Sequence, residues 1–469
     1  MNKIPLTTKV YVWSVVFEPL LFFVVWERQI AGIGGNISRI LQGFVITVLI
    51  LKYFITSSDL RINNLSSPLY RNYYIYLVIV ILAGFVGMAS GVYSLSGTYS
   101  GEGQSFFSNL LNSPFVRPLF EYVIAIYYFI YFVVLPRYML KTERAVIYFF
   151  SLFKRMFVIS LVVGMVDLAF NVVGINLVPR HIADWRHVGV RFHGLAGEPR
   201  DAFVYLFLGL AILKLDTYIK GQSLNKLWVF AIISAALLTQ SASGLIGIAV
   251  FLVMFTMYSL AHSMNTRKFI LLCTILTLTP VLIYGAIMSS ARLLLYWESM
   301  SDLWYLLESG GELPYVLMVQ SPNIYPIYDL IVKVRELNIL PIIIGSGLGS
   351  SSAINNHYAS FAGEMINPNS QLVRSIFESG IIGTFFFIMS FIHPVKQVTK
   401  YFPAKDRYTF IIINLLLIGC FMGHRSVAPF IFLGIFLAVF RPYRCYRHNE
   451  ENKASGIIPN SQINCGATV

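Results

Sequence analysis

The stretch MFVISLVVGMVDLAFNVVGINL, residues 156–177, carries a single charge and decides the class of fold. Its roughly 22 residues are enough for one helix to cross a hydrocarbon layer of about 30 Å. The whole chain has this character, because 57% of its 469 residues are hydrophobic, only 12% are charged, and the mean hydropathy is +0.68. Ordinary soluble domains are less apolar. We therefore predict an all-α, polytopic integral membrane protein.

Comparable apolar stretches recur and predict about twelve transmembrane helices. Together they form a single transmembrane domain over residues 1–440. Residues 441–469 are polar and short of large apolar side chains, which predicts a disordered cytoplasmic tail. The predicted spans are 10–26, 40–56, 72–93, 117–135, 156–177, 202–218, 226–241, 243–261, 268–288, 373–393, 408–424 and 427–440.

Lys and Arg residues are unevenly distributed between the two sets of loops. With the N-terminus in the cytoplasm, 23 of the 35 basic residues fall on the cytoplasmic side, as the positive-inside bias requires. We predict a multi-pass protein of the bacterial inner membrane with both termini in the cytoplasm and the lipid bilayer as its surroundings. This bias explains most of the net charge of +13, so no nucleic-acid partner is indicated.

Two long loops then lie on the outer, periplasmic face, at residues 178–201 and 289–372. The second loop, between predicted helices 9 and 10, has enough apolar and aromatic side chains to form short helices over the membrane surface. Loops of this length usually carry function or have structure of their own. We therefore expect the functional residues in these two segments.

The first loop contains the sequence RHIADWRHVGVRFHGLAGEPRDA, residues 180–202, which is rich in arginine and histidine. One interpretation is a hydrated loop that forms its own ion pairs or binds anionic head groups. The other is an anion site, because the guanidinium group binds phosphate oxygens in a bidentate manner that Lys cannot reproduce. A diphosphate at the membrane surface would suit such a site.

Further charges lie near the membrane. Arg292 follows the ninth predicted helix, where it is either a ligand of the same anion or an interfacial anchor. Arg425 lies in the short turn between the last two predicted helices, on the same face. Glu18 and Asp167 lie inside predicted helices, and intramembrane charges mark function or internal pairing. For Glu18 and Asp167 we expect internal pairing.

The segment PIIIGSGLGS, residues 341–350, is rich in glycine. Its spacing is not GxGxxG, and no βαβ pattern surrounds it, so a nucleotide-binding loop is not indicated. A tight turn near the membrane surface fits better, because glycine tolerates backbone conformations that other residues avoid.

Three elements carry a family resemblance: RFHGLAGEP (191–199), Arg292 after the ninth helix, and GSGLG followed by an Asn-rich segment and GIIG (380–383). In these elements and in hydropathy, the chain resembles the superfamily of O-antigen polymerases and O-antigen ligases. The resemblance covers roughly residues 160–390. It implies a polytopic helical fold of the GT-C-like kind, with a large late periplasmic loop.

Two departures distinguish the branches of this superfamily. Ligases carry a His at the position where this chain has Asn369, and their Thr-x-Ser-Arg element is altered here to residues 239–242, TQSA. The Glu198–Pro199 pair is more similar to polymerases. We therefore favour a polymerase, and a ligase that transfers polysaccharide to lipid A-core stays the alternative.

The resemblance implies glycosyl transfer between undecaprenyl-diphosphate-linked oligosaccharide repeat units, with a chain-length regulator as a further partner. The charge on the departing diphosphate needs preorganised cations. Our hypothesis assigns Arg191 and then Arg292 to this role, with Arg186, Arg200 and Arg425 as further candidates. No Asp-x-Asp or His-x-x-His pattern occurs on the outer face, so we predict no cofactor and no metal.

The attacking hydroxyl must lose a proton to a carboxylate or a neutral His. The choice among the base candidates stays open, and a His in a polar loop is often only solvated. Asn367 and Asn369 suit sugar hydroxyls, although an Asn-Pro-Asn-Ser sequence also suits a helix cap. The candidate bases are Glu364, His357, Glu198 and His193.

Two transport classes are the remaining alternatives. A flippase for lipid-linked oligosaccharides would place its cations in a central cavity and would have little use for so long an outer loop. A secondary transporter is expected to have repeated halves with matching broken helices, and no such repeat is visible in the sequence.

Overall fold

A computed structural model describes residues 4–20, 36–56, 67–93, 116–175, 177–178, 191–260, 284, 324–358 and 370–440. Within these ranges the regular elements are all helices, which confirms the all-α prediction for this part of the chain. The helices are α1 Leu6–Phe17, α2 Ile37–Thr56, α3 Arg71–Ala89, α4 Val116–Met139, α5 Glu143–Val172, α6 Pro199–Ile219, α7 Lys226–Leu238, α8 Ala242–Leu260, α9 Ile324–Arg335, α10 Leu340–Ile344, α11 Ser350–Tyr358, α12 Gln371–Thr399, α13 Ala404–Gly423 and α14 Ala428–Phe440.

Six of these helices are long and apolar enough to cross a membrane: α3 with its preceding turn, α4, α5, α6, α12 and α13. Their length and composition are those of a helical membrane protein. Four shorter apolar helices occur in or near other predicted spans, at α1, α7, α8 and α14. The predicted span 268–288 and the predicted tail lie outside the described residues, apart from residue 284, so the number twelve stays a prediction.

Two helices differ from their predicted bounds for visible reasons. α1 ends at Phe17, within the predicted span 10–26, because Pro19 has no backbone N–H to continue the helical hydrogen bonds. α5 begins at Glu143, where the Thr142 hydroxyl accepts a hydrogen bond from the Ala145 amide, as an N-cap does. Lys154 and Arg155 then lie on an exposed face of α5, so they do not interrupt the helix.

α6 is the most enclosed of the long helices, with 78% of its apolar window buried. Gly209 lets the Phe157 ring of α5 pack directly on its backbone, since a Cβ at Gly209 would lie 2.0 Å from that ring. Close approach over small residues is the usual way in which helices associate inside membranes. α6 is therefore enclosed on most of its faces, where it packs against α5, α7, α8 and α13.

α8 and α13 pack even more closely, along Gly247 on the first and Gly419 and Gly423 on the second. A Cβ at Gly423 would lie 2.1 Å from the Ser243 carbonyl oxygen, and one at Gly247 would lie 2.8 Å from the Cα of Cys420. Backbone therefore meets backbone along this interface. It fixes the end of α13, and with it the turn at residues 424–427 that leads into α14.

The part of residues 289–372 that the structure describes contains the three short helices α9, α10 and α11. The glycine-rich residues 345–349 join α10 to α11 and pack against α12. The side of the membrane on which these helices lie stays a prediction.

Candidate functional site

A cavity of about 250 Å³ opens among α2, α3, α4, α6, α12, α13, α14 and the end of α1. Its lining divides into charged and aromatic side chains. The charged members are Glu18, Arg39, Glu121, Asp201, Arg374, Glu378 and Arg425. The aromatic members are Tyr73, Tyr76, Tyr128, Phe387, Phe421 and Phe430.

Arg374 is the most deeply buried cation of the cavity, with 4% of its side chain exposed. Its Nη2 lies 2.9 Å from Glu121 Oε2, and its Nε donates to Glu378 Oε2 at 2.9 Å. Arg374 and Glu378 are four residues apart and therefore share one face of α12. The remaining nitrogen, Nη1, is buried without a hydrogen-bond partner among the described residues. Nη1 of Arg374 is thus a buried donor without a protein acceptor among the described residues.

Glu378 is held in place by the glycine-rich segment. Its Oε1 accepts hydrogen bonds from the Gly349 amide at 3.0 Å and from the Ser351 hydroxyl at 2.6 Å. With Arg374 on Oε2, both oxygens of this carboxylate are satisfied. Glu378 is therefore a fixed support for Arg374.

The same segment stabilises a break in α12. The Ser346 and Gly347 amides donate to the carbonyls of Phe377 and Glu378, at 2.9 and 2.8 Å, which fills acceptors that the helix leaves open at Gly380 (φ +66°). The Tyr93 hydroxyl donates to the Leu348 carbonyl at 2.9 Å.

Glu121 of α4 is surrounded by arginines. Its Oε1 lies 2.8 Å from Arg117 Nη2, and its Oε2 lies 2.9 Å from Arg374 and 3.7 Å from Arg425. Charge-assisted hydrogen bonds are usually shorter than about 3 Å, so the contact with Arg425 is a loose one. The Arg425 side chain is 37% exposed, which leaves its guanidinium accessible to an anion.

A second ion pair also lines the cavity. Arg39 Nη2 lies 2.5 Å from Glu18 Oε1, and the guanidinium sits 5.5 Å from the centre of the Tyr128 ring. Glu18 Oε2 accepts from the Ser38 hydroxyl and the Gln42 amide. The expected internal pairing of Glu18 is therefore confirmed. Unlike Arg425, Arg39 has a close carboxylate partner.

Asp201, the third residue of α6, completes the charged lining. Its Oδ1 lies 2.9 Å from Nε2 of His424, in the turn between α13 and α14. Asp201 is 21% exposed at its side chain and His424 only 9%. The pair therefore places a buried imidazole behind a carboxylate that reaches the cavity.

Among the residues predicted as ligands of the diphosphate, Arg425 lines this cavity, whereas Arg191 and Arg200 do not. Arg191 is buried, with 6% of its surface exposed. Arg200 Nε lies 2.5 Å from Glu198 Oε2, so these two predicted site residues form an ion pair with each other. This cluster lies where the chain enters α6.

His193, one of the candidate bases, is paired with Asp167. The two side chains are almost fully buried, and His193 Nε2 lies 3.0 Å from Asp167 Oδ2. Asp167 also accepts from the Leu177 and Val178 amides and from Asn171. The expected internal pairing of Asp167 is thus confirmed, and this pair fixes residues 191–198 against α5.

The other predicted site residues are not placed by the structure. His357 belongs to α11, and nothing is described of its side chain. The predicted ligands and bases that lie outside the described residues are Arg186, Arg292, Glu364, Asn367 and Asn369.

Sequence reasoning missed Glu121, Arg374 and Glu378, the three charges at the centre of the cavity. The signal was available, because all three lie inside the predicted spans 117–135 and 373–393, where a charge is costly and marks function or pairing. Only Glu18 and Asp167 had been singled out by that rule. The spacing of Arg374 and Glu378 also predicts an ion pair on one helix face.

The arrangement is suited to binding an anion beside an apolar surface. Arg425 has a loosely held charge, and Arg374 has an unused donor. In a site of low dielectric such cations act more strongly than in water. Within the described part of the chain, no group of three or more His, Cys, Asp or Glu side chains is arranged to hold a metal ion.

Comparison with known proteins does not identify this site. No family model matches the chain, and no curated protein is significantly similar to it.

Proposed function

We propose that the protein is a surface-polysaccharide polymerase of the O-antigen type. It joins undecaprenyl-diphosphate-linked oligosaccharide repeat units at the periplasmic face by metal-independent glycosyl transfer. The cavity holds the diphosphate of the donor, with Arg425 and Arg374 as its ligands. The family resemblance supplies the reaction, and the loosely paired, part-exposed Arg425 is the observation that supports the site.

The loose pairing of Arg425 supports an anionic ligand. Arg425 is 3.7 Å from its nearest carboxylate, so it gives up little when it turns toward a diphosphate. Arg374 keeps both carboxylates and still has Nη1 available. As the glycosyl bond breaks, negative charge grows on the leaving diphosphate, and fixed guanidinium groups stabilise it without reorganisation.

The mixed lining supports a lipid-linked substrate in particular. A free sugar phosphate would need few apolar contacts, whereas a prenyl diphosphate has a charged head and a hydrocarbon chain. Phe387, Phe421 and Phe430 supply apolar surface next to Arg374 and Arg425 in the same cavity. A cavity with both kinds of surface matches such an amphiphile.

The position of the charges on their helices supports an outer-face enzyme. Glu18 follows α1, Arg39 is near the start of α2, and Glu121 and Asp201 are in the first two turns of α4 and α6. With a cytoplasmic N-terminus and alternating helices, all four of these ends lie on the periplasmic side. Arg374 and Arg425 contact Glu121 and therefore lie at the same level.

One observation favours a second candidate, a flippase for lipid-linked oligosaccharides. Arginines in a cavity between helices are what a flippase would require. The charges of this cavity come from the ends of helices, however, and a translocation path needs polar surface along the full depth of the membrane. The polymerase therefore remains the stronger proposal.

A deletion strain separates these functions. Loss of a polymerase leaves lipid cores that carry one repeat unit, loss of a ligase leaves bare cores, and loss of a flippase leaves repeat units on the cytoplasmic side. We expect the single-repeat pattern on a polysaccharide gel. Bare cores, or repeat units retained in the cytoplasm, would overturn the proposal.

Complementation with variants tests the site. Arg425→Ala should abolish chain lengthening, and Arg425→Lys should restore it only in part, because Lys lacks the bidentate geometry. Arg407→Ala, an exposed residue near the start of α13, is the matched control and should restore normal chain length. Normal chains from Arg425→Ala, at equal protein level in the membrane, would remove Arg425 from the site.

A further inference from the structure

Four carboxylates line the cavity, and three of them are neutralised by arginine. Glu121 has three arginines around it, Glu18 pairs with Arg39, and Glu378 pairs with Arg374. Each also has both of its oxygens engaged. A carboxylate held in this way has no oxygen free to accept a hydrogen bond from a substrate hydroxyl. These three are unsuited to act as a base.

Asp201 differs from the other three carboxylates, because in the described part of the chain it has no arginine partner and only one of its oxygens is engaged. Among the described residues its one hydrogen-bond partner is His424, which engages Oδ1, and no arginine lies within ion-pair distance of it. Its side chain is 21% exposed and lines the cavity together with Arg425. The second oxygen, Oδ2, is therefore available to a bound substrate.

The geometry of His424 fixes its role in the pair. Nδ1 is buried and has no hydrogen-bond partner among the described residues. A proton on Nδ1 would be a buried, unsatisfied donor, which is costly. The neutral tautomer with its proton on Nε2 avoids that cost and donates to Asp201 Oδ1. His424 thus orients the carboxylate without neutralising its charge.

We infer that Asp201 is the general base that deprotonates the acceptor hydroxyl, and that His424 is its positioning residue. This inference rests on the proposed function and adds to it the group that the sequence left unresolved. Asp201 was not among the base candidates read from the sequence. The neighbouring Glu198, which was, pairs with Arg200 instead.

The residues of the site account for the proton and the leaving group of the transfer reaction. The acceptor oxygen forms a bond to the anomeric carbon of the donor sugar, and its proton passes to Asp201 Oδ2. The bond between that carbon and the diphosphate oxygen breaks, and the electron pair leaves with the diphosphate beside Arg425 and Arg374. The proton on Asp201 then passes to the released diphosphate, which restores the carboxylate.

The test uses the purified full-length protein in detergent and lipid-linked repeat units extracted from the deletion strain. Asp201→Asn should lower kcat by at least about 100-fold, within the range that general-base catalysis supplies, and should leave KM nearly unchanged. Asp216→Asn, the same change at the opposite end of α6, is the control and should keep full activity. Asp201→Asn with wild-type kcat would overturn the inference.

Two further variants test His424 as a positioning residue. Gln places an N–H near the position of Nε2, so His424→Gln should keep most of the activity, whereas His424→Ala should lower kcat about tenfold, a modest fraction of what a base supplies. Equal losses in both variants would show that the N–H does not orient Asp201, and would overturn the positioning role.

Binding of farnesyl diphosphate separates failure of this inference from failure of the proposed function. Asp201→Asn should bind this probe as the wild type does, and Arg425→Ala should bind it at least about tenfold more weakly, the loss expected for one charge-assisted contact. If the wild-type protein neither binds the probe nor extends the repeat units, the proposed function fails. If the wild-type protein binds the probe and extends the repeat units, and Asp201→Asn stays active, only the inference about Asp201 fails.

Discussion

Gly345 and Gly380 face each other so closely that neither position has room for a side chain. A Cβ at Gly345 would lie 2.4 Å from the Glu378 carbonyl oxygen, and one at Gly380 would lie 2.2 Å from the Ile343 carbonyl oxygen. Both residues also have positive φ, +100° and +66°. The contact joins the glycine-rich segment to the break in α12, and so fixes Glu378 and Arg374.

We predict that Gly345→Ala and Gly380→Ala both destabilise the protein. A positive φ with ψ near 180°, as both residues have, costs about 1–3 kcal/mol for a residue with a Cβ, and the overlap with backbone atoms adds to that cost. The measurement is the free energy of unfolding from an SDS titration in mixed micelles.

Gly174→Ala is the control for this prediction. Gly174 also has a positive φ, +83°, and no atom within 4 Å of its would-be Cβ, so it reports the cost of a positive φ without steric overlap. Losses at Gly345 and Gly380 no larger than the loss at Gly174 would contradict the packing argument.

The second prediction concerns the buried pair of Arg374 and Glu378. Arg374→Met leaves Glu121 and Glu378 without their shared cation, and removal of one partner of a buried ion pair costs about 3–5 kcal/mol. Glu378→Gln should be less harmful in the Arg374→Met background than in the wild type. A double-mutant cycle on unfolding free energies measures this coupling, which we expect to be about 1–3 kcal/mol.

The matched pair for that cycle is Asp216 and Lys220, which have the same spacing on α6. Lys220 is 52% exposed at its side chain, and exposed pairs contribute at most about 1 kcal/mol. A coupling between Arg374 and Glu378 as small as the one between Asp216 and Lys220 would show that water reaches the cavity pair freely.

Much of the helical arrangement was predictable from the sequence, because a long apolar run has few alternatives to a membrane helix. The helix ends were less predictable. At the start of α5, Lys154 and Arg155 indicated a loop in the sequence, whereas in the structure they lie on an exposed face of the helix. At the end of α1, Pro19 stops a helix that hydropathy alone continues.

The site was harder to predict, since its residues come from distant parts of the chain. Arg425 and Asp201 were visible as charges near helix ends, but their neighbours were not. Glu121 and Arg374 are separated by some 250 residues in sequence and meet only because α4 and α12 line the same cavity. The arginine-rich loop drew attention to Arg191 instead, and no local pattern says that this segment folds inward against α5.

The last prediction concerns the pair that holds that segment, Asp167 and His193. Asp167→Asn replaces one acceptor oxygen by an NH₂ group. The groups around this carboxylate are all donors: two backbone amides, the Asn171 side-chain amide and His193 Nε2, which donates when it carries the ring proton. At least one buried donor then faces another, which costs about 1–3 kcal/mol. We expect that loss in the SDS titration. The control is Asp406→Asn, whose carboxylate lies 4.0 Å from Lys214, and we expect it to be nearly neutral.

Because Asp167 lies away from the cavity, the Asp167→Asn variant should still bind farnesyl diphosphate with wild-type affinity at temperatures where it stays folded. Loss of binding in the folded variant would place the His193 segment in the substrate site and restore Arg191 as a ligand.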